Sequence, residues 1–381
     1  MKVDFYRHQL SADDGEAIKD VIASPFLTTG RVAKQVERQL ESYFRCPHAL
    51  LVNSWTNGAL AVLLAMDLGP DDEVIVPAMT FIASANVVVL AGARVVFADV
   101  DPSTLLLTPE TLAPHVTHRT RAVIPVHLYG QMCDIAGMRE MLDRHANAAA
   151  RIAIIEDCAH CFEGEREGSK PGEASDCAVF SFYATKNVTC GEGGAIITRD
   201  AGLHEKMLET RLHGMSAIAV DRFAAGRYNH WDMRRLGTKA NLPDLLAALL
   251  PRQIAEVDAV LPERARLANI YRNRFAGGPL RLVAQQQACK SAEHLFVIGV
   301  PGGKRDQAIA ALNDAGVAVT VNYRAVPDTT FYRKQTVTAD VPVSRLWGEQ
   351  TISLPLFPGL TEAEQAHVVN AVIEKVYPLC G

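Results

Sequence analysis

The sequence has no long apolar run. The longest, "FIASANVVVLAGA", covers 13 residues and is interrupted by Ser84 and Asn86. A membrane-spanning helix needs about 20 predominantly apolar residues. A basic excess is also missing: 38 Lys and Arg stand against 43 Asp and Glu, a net charge of −5. With a pI of 6.2, this argues against a general nucleic-acid or anionic-membrane surface. Cysteine is sparse, with eight in 381 residues, which excludes the dense disulfide framework of a small secreted domain. Cys158 and Cys161 are spaced as a CxxC, but Cys46, Cys133, Cys177, Cys190, Cys289 and Cys380 are single and scattered. A structural zinc site usually draws four ligands from two paired sets, and a redox CxxC usually opens a helix in a much smaller fold. There is no repeat, low-complexity segment or Gly/Ser-rich linker, and "MKVDFYRHQLSADDGEAIKD" lacks the apolar core of a signal peptide. These absences predict a cytoplasmic protein with reduced thiols and no metal site.

What is present is a globular composition, 49% hydrophobic and 21% charged, in a chain long enough for a large domain and a smaller one. Short β-rich runs at Val74–Val76, Arg94–Val100, Arg121–Val126, Arg151–Ile155, Cys177–Phe182 and Ala195–Thr198 alternate with helical candidates at Thr56–Asp67, Phe81–Ala91 and Ile135–Ala146. Such alternation predicts an α/β fold with a mostly parallel sheet covered by helices. Leu242–Phe275 reads as helix-rich but broken at Pro243, Pro251 and Pro262. Beyond it, a strand (His294–Val300), a helix (Arg305–Ala315), a strand (Val317–Tyr323) and a closing helix (Glu362–Tyr377) predict a small α+β unit. The boundary falls near residues 250–280 and is drawn as 1–260 and 261–381.

Ligands of open α/β sheets bind beyond the carboxyl ends of the strands. Three such ends carry chemistry. After Leu50–Val52, "NSWT" opens a helix whose free N–H groups and positive dipole end suit a phosphate; plain N-capping by Ser54 or Thr56 is the alternative. "RIAIIEDCAHCFEGE" delivers Asp157 to the ligand edge, where an acid pairs with a cation, binds a metal, acts as a base or merely caps a helix. "FSFYATKNVTCGEGGAIIT" carries Ser181, then Lys186, then a glycine turn. A lysine beside an apolar strand end is the kind of amine that desolvation activates, although most lysines are simply solvated. Phosphate cradle, carboxylate and lysine in this order are what pyridoxal phosphate (PLP) requires.

At this point the sequence resembles the fold-type I, PLP-dependent nucleotide-sugar aminotransferases of the DegT/DnrJ/StrS group. The resemblance runs from "FLTTGRVAKQVERQLESYF" to "ISLPLFPGLTEAEQAHVV" and is carried most strongly by "GPDDEVIVPAMTFIASANVV", "PVHLYGQMCDI", "IIEDCAHCFEGE", "FSFYATKNVTCGEGGAIIT" and "SLPLFPGL". It implies that Lys186 binds the cofactor covalently and later shuttles the proton, that Asp157 holds the pyridinium nitrogen, and that His160 hydrogen-bonds the ring hydroxyl. By the same resemblance Phe81 stacks on the ring, and Thr56 and Ser181 hold the phosphate beside Trp55. It further implies a homodimer with shared active sites, in which Lys239 (or Asn229) reaches the partner's phosphate.

The implied activity is ping-pong transfer of an amino group from L-glutamate, through pyridoxamine phosphate, to a nucleotide-linked keto-sugar. "TCGEGG" is more like enzymes acting at C4 than at C3. A destination in lipopolysaccharide, another surface glycan or a natural-product aminosugar follows from the family. Some positions depart from its pattern. Trp55 stands where most members have Gly or Ala, "VNYRAVPDTTFY" lacks the His many have near Pro327, and "MSAIAVDRFAAGRYNHWDMRRLG" is a distinctive insertion. A related sugar dehydratase has His in place of the lysine, which Lys186 opposes. A non-catalytic regulatory relative would not need Lys186, Asp157, His160 and Ser181 together. Purified protein should therefore be yellow, and borohydride should fix the cofactor to Lys186, located by peptide mass. Lys186→Ala should abolish turnover; near wild-type turnover in that variant rejects the assignment.

Overall fold

The computed structural model describes residues 1–145, 151–216, 230–335 and 339–380. Its main strands are β1 (His48–Val52), β2 (Glu73–Pro77), β3 (Arg94–Ala98), β4 (Thr120–Val123), β5 (Ala153–Asp157), the two-residue β6 (Glu165–Arg166), β7 (Cys177–Ser181) and β8 (Gly194–Thr198). All but β6 form one sheet in the order β1-β8-β7-β5-β4-β2-β3. Strands β3, β2, β4, β5 and β7 are parallel, and β8 runs antiparallel to both its neighbours. Strand β1 therefore points the same way as the parallel set. The expected α/β class with a mostly parallel sheet is what the chain adopts.

The sheet is dry on both faces because its strands alternate between two apolar clusters rather than between core and solvent. In β7 and β8, Ala178, Phe180, Ala195 and Ile197 pack into one cluster with Val36, Leu40 and Phe44 of the helix Arg31–Tyr43. Their neighbours Cys177, Val179 and Ile196 face the other way, onto Ala59, Val62 and Leu63 of the helix Trp55–Ala65. A side-chain period of two thus feeds two cores from one strand.

The smaller unit is an antiparallel sheet of β9 (Arg281–Leu282), β11 (Phe296–Gly299) and β12 (Thr351–Leu354), while β10 (Cys289–Lys290) reaches back to pair with β6. Its core joins Phe296, Ile298, Ile352 and Leu354 to Leu312 and Val368 of its helices and to Leu267, Tyr271 and Phe275. Val3 packs into this core too, bridging to Val317 and fully buried.

Two expectations need correction. The helix Pro251–Phe275 runs unbroken through Pro262. Pro262 and Asp258, whose carbonyl loses its partner, are both exposed, so water takes the carbonyl and the kinking cost is reduced. Pro251 stands at the start of that helix, where a missing N–H is harmless. Val317–Tyr323 is not a strand; it makes only single bridges at Val317 and Thr320. Its end is instead held by side chains, with Tyr129 Oη and Thr351 Oγ1 (3.2 Å) donating to the Asn322 carbonyl. Asn322 Oδ1 accepts from Ser353 Oγ at 2.9 Å.

The start of the helix Arg31–Tyr43 is closed from 211 or more residues away in sequence. Buried Asp244 accepts from the backbone N–H of Gly30 (2.9 Å), Val32 (3.0 Å) and Ala33 (2.9 Å). Asp244→Ala would leave three buried or half-buried donors without an acceptor, so a loss of roughly 2–4 kcal/mol is expected in denaturant unfolding. Asp244→Asn should retain part of it.

Candidate active site

The carboxyl ends of β1, β2, β4, β5 and β7 and the start of β8 lie along one edge of the sheet, and their following loops line one cavity of about 560 Å³. Into it come Ser54–Thr56 after β1, Thr80, Phe81 and Ser84 after β2, and Val126 after β4. Asp157, Ala159 and His160 enter from β5, Ser181 and Lys186 from β7, and Glu192 and Gly193 from the turn before β8. The smaller unit closes the far side with His294, Leu295, Thr320, Asn322 and Tyr323. Of the candidate residues, Lys186, Asp157, His160, Ser181, Thr56, Trp55 and Phe81 all line this cavity. Lys239 does not. It is exposed, and its carbonyl accepts from Asn53 Nδ2 (3.2 Å) at the end of β1. Asn229 lies outside the described residues, as does much of the insertion.

Asp157 is 3% exposed. Burial pushes its pKa up to about 6, against the pull of the Ala159 N–H, Ser84 and the positive charge of Lys186. Ser84 Oγ donates to Oδ2 at 2.9 Å, and the Ala159 N–H donates to Oδ1 at 3.0 Å. Because the Ser84 hydrogen is spent on the carboxylate, Thr80 Oγ1 is the donor in its 3.0 Å contact with Ser84. In sequence, Ser84 was visible only as an interruption of an apolar run; a buried hydroxyl one turn after Phe81 was the available signal.

Lys186 faces the same cavity, and burial lowers its pKa to about 8 against the opposing influence of Asp157. No ion pair joins the two among the described residues, so each senses the other's charge across open space. The lysine turn is pinned from two sides. Gln253 brackets Thr189, accepting from its N–H at 3.0 Å and donating to its carbonyl at 2.7 Å. Asn187 Nδ2 donates to both Glu163 oxygens (3.0 Å each) and to the Ala292 carbonyl (2.9 Å).

At the other end, Ser54 caps the helix Trp55–Ala65 by accepting from the Asn57 N–H at 3.1 Å. The first N–H groups of that helix have no helical acceptor and point outward. Gly194 lets the start of β8 lie directly against them: a Cβ there would stand 2.5 Å from the Phe180 carbonyl oxygen and 2.9 Å from the Trp55 nitrogen. Trp55 fills the flank of this cradle; it is buried, and its Nε1–H has no acceptor among the described residues. Ser181 Oγ accepts weakly from the Tyr183 N–H at 3.3 Å. Phe81 is 53% exposed, presenting its ring to the cavity 5.6 Å from that of Tyr323.

His160 is already engaged at both nitrogens. Nδ1 accepts from the Tyr129 N–H (3.3 Å), and Nε2 lies 3.0 Å from Tyr323 Oη. Cys158 and Cys161 are buried apart from the cavity lining, and burial raises both thiol pKa values well above the ordinary range. His127, Glu156 and Cys158 place potential ligand atoms within 4.8 Å of one another. Glu156, however, is taken up by His127 Nε2–H (2.6 Å), the Gly172 N–H (2.7 Å) and Ser175. His127 Nδ1 accepts from the Cys133 N–H at 3.0 Å. This cluster is a satisfied hydrogen-bond network beneath β5.

The profile of the DegT/DnrJ/EryC1/StrS aminotransferase family matches residues 8–373. The chain belongs to this family. It is similar in structure to a putative sugar aminotransferase, Spr1654 of Streptococcus pneumoniae, with 28% identity, a TM-score of 0.91 and coverage of 100% of this chain and 99% of that one. Spr1654 has been solved in PMP, apo and PLP forms. DesV of S. venezuelae is 30% identical over 98% of each chain, with a TM-score of 0.88. The sugar aminotransferase CalS13 of Micromonospora echinospora is 25% identical, covering 98% of this chain and 99% of that one, with a TM-score of 0.89.

The protein is accordingly a fold-type I, PLP-dependent aminotransferase, and the donor set fits the cofactor. A helix start and Ser181 offer uncharged donors for a phosphate, a buried carboxylate suits a protonated ring nitrogen, and an amine of lowered pKa suits a carbonyl carbon. Asp157→Asn removes the charge that props up the lysine pKa. In cofactor-free Asp157→Asn protein, Lys186 should titrate below about 8, read from the pH dependence of its acetylation by peptide mass. A midpoint at or above the wild-type value refutes the coupling.

Proposed function

We infer that the enzyme transfers an amino group from L-glutamate to a nucleoside-diphosphate-linked 4-keto hexose, giving a 4-amino sugar, in a ping-pong sequence. The observation that carries this reading is Lys186 standing opposite Asp157 in one cavity, beside the Ser54-capped start of the helix Trp55–Ala65. Similarity to Spr1654 and CalS13, both named as sugar aminotransferases, supports the substrate class.

When bound, PLP supplies a carbonyl carbon that takes up amines and a ring that accepts electrons released at the neighbouring carbon. The chain supplies the rest. Lys186 Nζ, near neutrality in its proton affinity, takes a proton from the donor's Cα and returns it on the other carbon, held in reach by the pinned turn. Asp157, fixed by Ser84 and Ala159, keeps the ring nitrogen protonated. Ser181, Thr56 and the first N–H groups of the helix hold the phosphate, with Trp55 walling its flank. Phe81 covers one ring face, and His160 stands by the ring hydroxyl.

Lys239, exposed at the end of β1 and absent from its own chain's cavity lining, suits a second copy's phosphate, which makes the working unit a homodimer. The "TCGEGG" turn favours C4 over C3, and the product serves aminosugar assembly for a surface glycan such as lipopolysaccharide, or for a natural product, in the cytoplasm. Glutamate assayed with a panel of nucleotide-linked 4-keto and 3-keto sugars, with products identified by mass and NMR, should yield a 4-amino sugar. Amination at C3 moves the reading to the C3 reaction, and no transfer to any nucleotide sugar overturns it.

A further inference from the structure

Two imidazoles meet on the cavity wall formed with the smaller unit. The rings of His160 and His294 lie 4.4 Å apart. Burial holds both in the neutral form, and the nearby charge of Lys186 acts in the same direction. Their neighbours decide where each hydrogen sits. Asn187 Nδ2 donates to Glu163 and to the Ala292 carbonyl. A main-chain carbonyl cannot donate, so the amide orientation is fixed, and Asn187 Oδ1 is the acceptor at 2.9 Å from His294 Nδ1. His294 therefore carries its hydrogen on Nδ1, leaving Nε2 as a bare acceptor with no donor among the described residues.

His160 has the opposite tautomer. Its Nδ1 accepts from the Tyr129 N–H, so its hydrogen is on Nε2 and goes to the Tyr323 oxygen. The Tyr323 O–H is thereby released to donate elsewhere. Both His294 and Tyr323 line the cavity. The result is a neutral acceptor and a neutral donor on one wall, each with its polarity set by buried partners.

We propose that His294 Nε2 and Tyr323 O–H together read a hydroxyl group of the sugar substrate, which donates to the imidazole and accepts from the phenol. This rests on the proposed function. A carboxylate brings only lone pairs, which Nε2 repels, and apart from Lys186 no cationic side chain is among the described residues lining the cavity. The pair thus serves the sugar half-reaction and not the amino-acid half-reaction. It gives one cavity a means of telling two unlike substrates apart.

The test follows each half-reaction separately by the absorbance change of the loaded enzyme. His294→Phe should cut kcat/KM for the keto-sugar at least tenfold and change that for the amino acid by less than twofold, with unaltered PLP affinity. Tyr323→Phe should act in the same direction. ¹⁵N NMR of the wild-type imidazoles, with His294 assigned by its loss in the variant, should show a neutral ring protonated at Nδ1. Asn187→Ala should release that tautomer, read from the same ¹⁵N signals and not from kinetics, because Asn187 also pins the lysine turn. Equal losses in both half-reactions, an unchanged sugar half-reaction, or a His294 protonated at Nε2 overturns the inference alone. A wild-type enzyme that aminates no sugar removes the proposed function with it.

Discussion

Asp157 is a carboxylate held out of water at the end of a strand, with its pKa pushed up to about 6 although two donors are aimed at it. Across the cavity Lys186 is pushed down to about 8 by the same desolvation. Burial works against both charges, and neither touches the other. That separation is the constraint around which the site is arranged, because a flat ring with a basic nitrogen at one end and a carbon electrophile at the other completes both groups at once. Ser84, Thr80 and the Ala159 N–H fix the acid; Gln253, Asn187 and Glu163 fix the lysine turn. The two sets come from separate elements, so the distance between the charges is set by the sheet.

The sheet has this authority because its central strands are buried on both faces. β7 and β8 send alternate residues into opposite cores, which fixes their register: a one-residue slip would exchange the two clusters wholesale. The carboxyl ends of five strands and the start of β8 are consequently held level, and short loops deliver functional side chains to a common edge. Gly194 is the closest point of this arrangement, where a strand start and a helix start meet with no room for a methyl group.

Much of this was legible in sequence because the strands are short, apolar and separated by helices of regular period, and because Asp157 and Lys186 each follow such a strand. What escaped notice depends on side chains meeting from distant parts of the chain. His294 and Tyr323 fall in stretches that read only as strands, Val317–Tyr323 on the strength of its β-branched residues, and nothing local places the two side chains on one cavity wall. Pro262 misled in the opposite sense, since a proline on the solvent face of a long helix leaves only a hydrated carbonyl behind. The paired cysteines drew attention by spacing alone, yet Cys158 and Cys161 sit protonated in packing.

Phe81 presents half of its ring to an open cavity whose floor holds two incompletely neutralised charges. A ligand that covers the ring and satisfies both charges binds the folded chain and not the unfolded one, and so acts as a folding ligand by mass action. Cofactor binding and folding are thereby coupled: the contacts that serve the chemistry also draw the folding equilibrium toward the native chain.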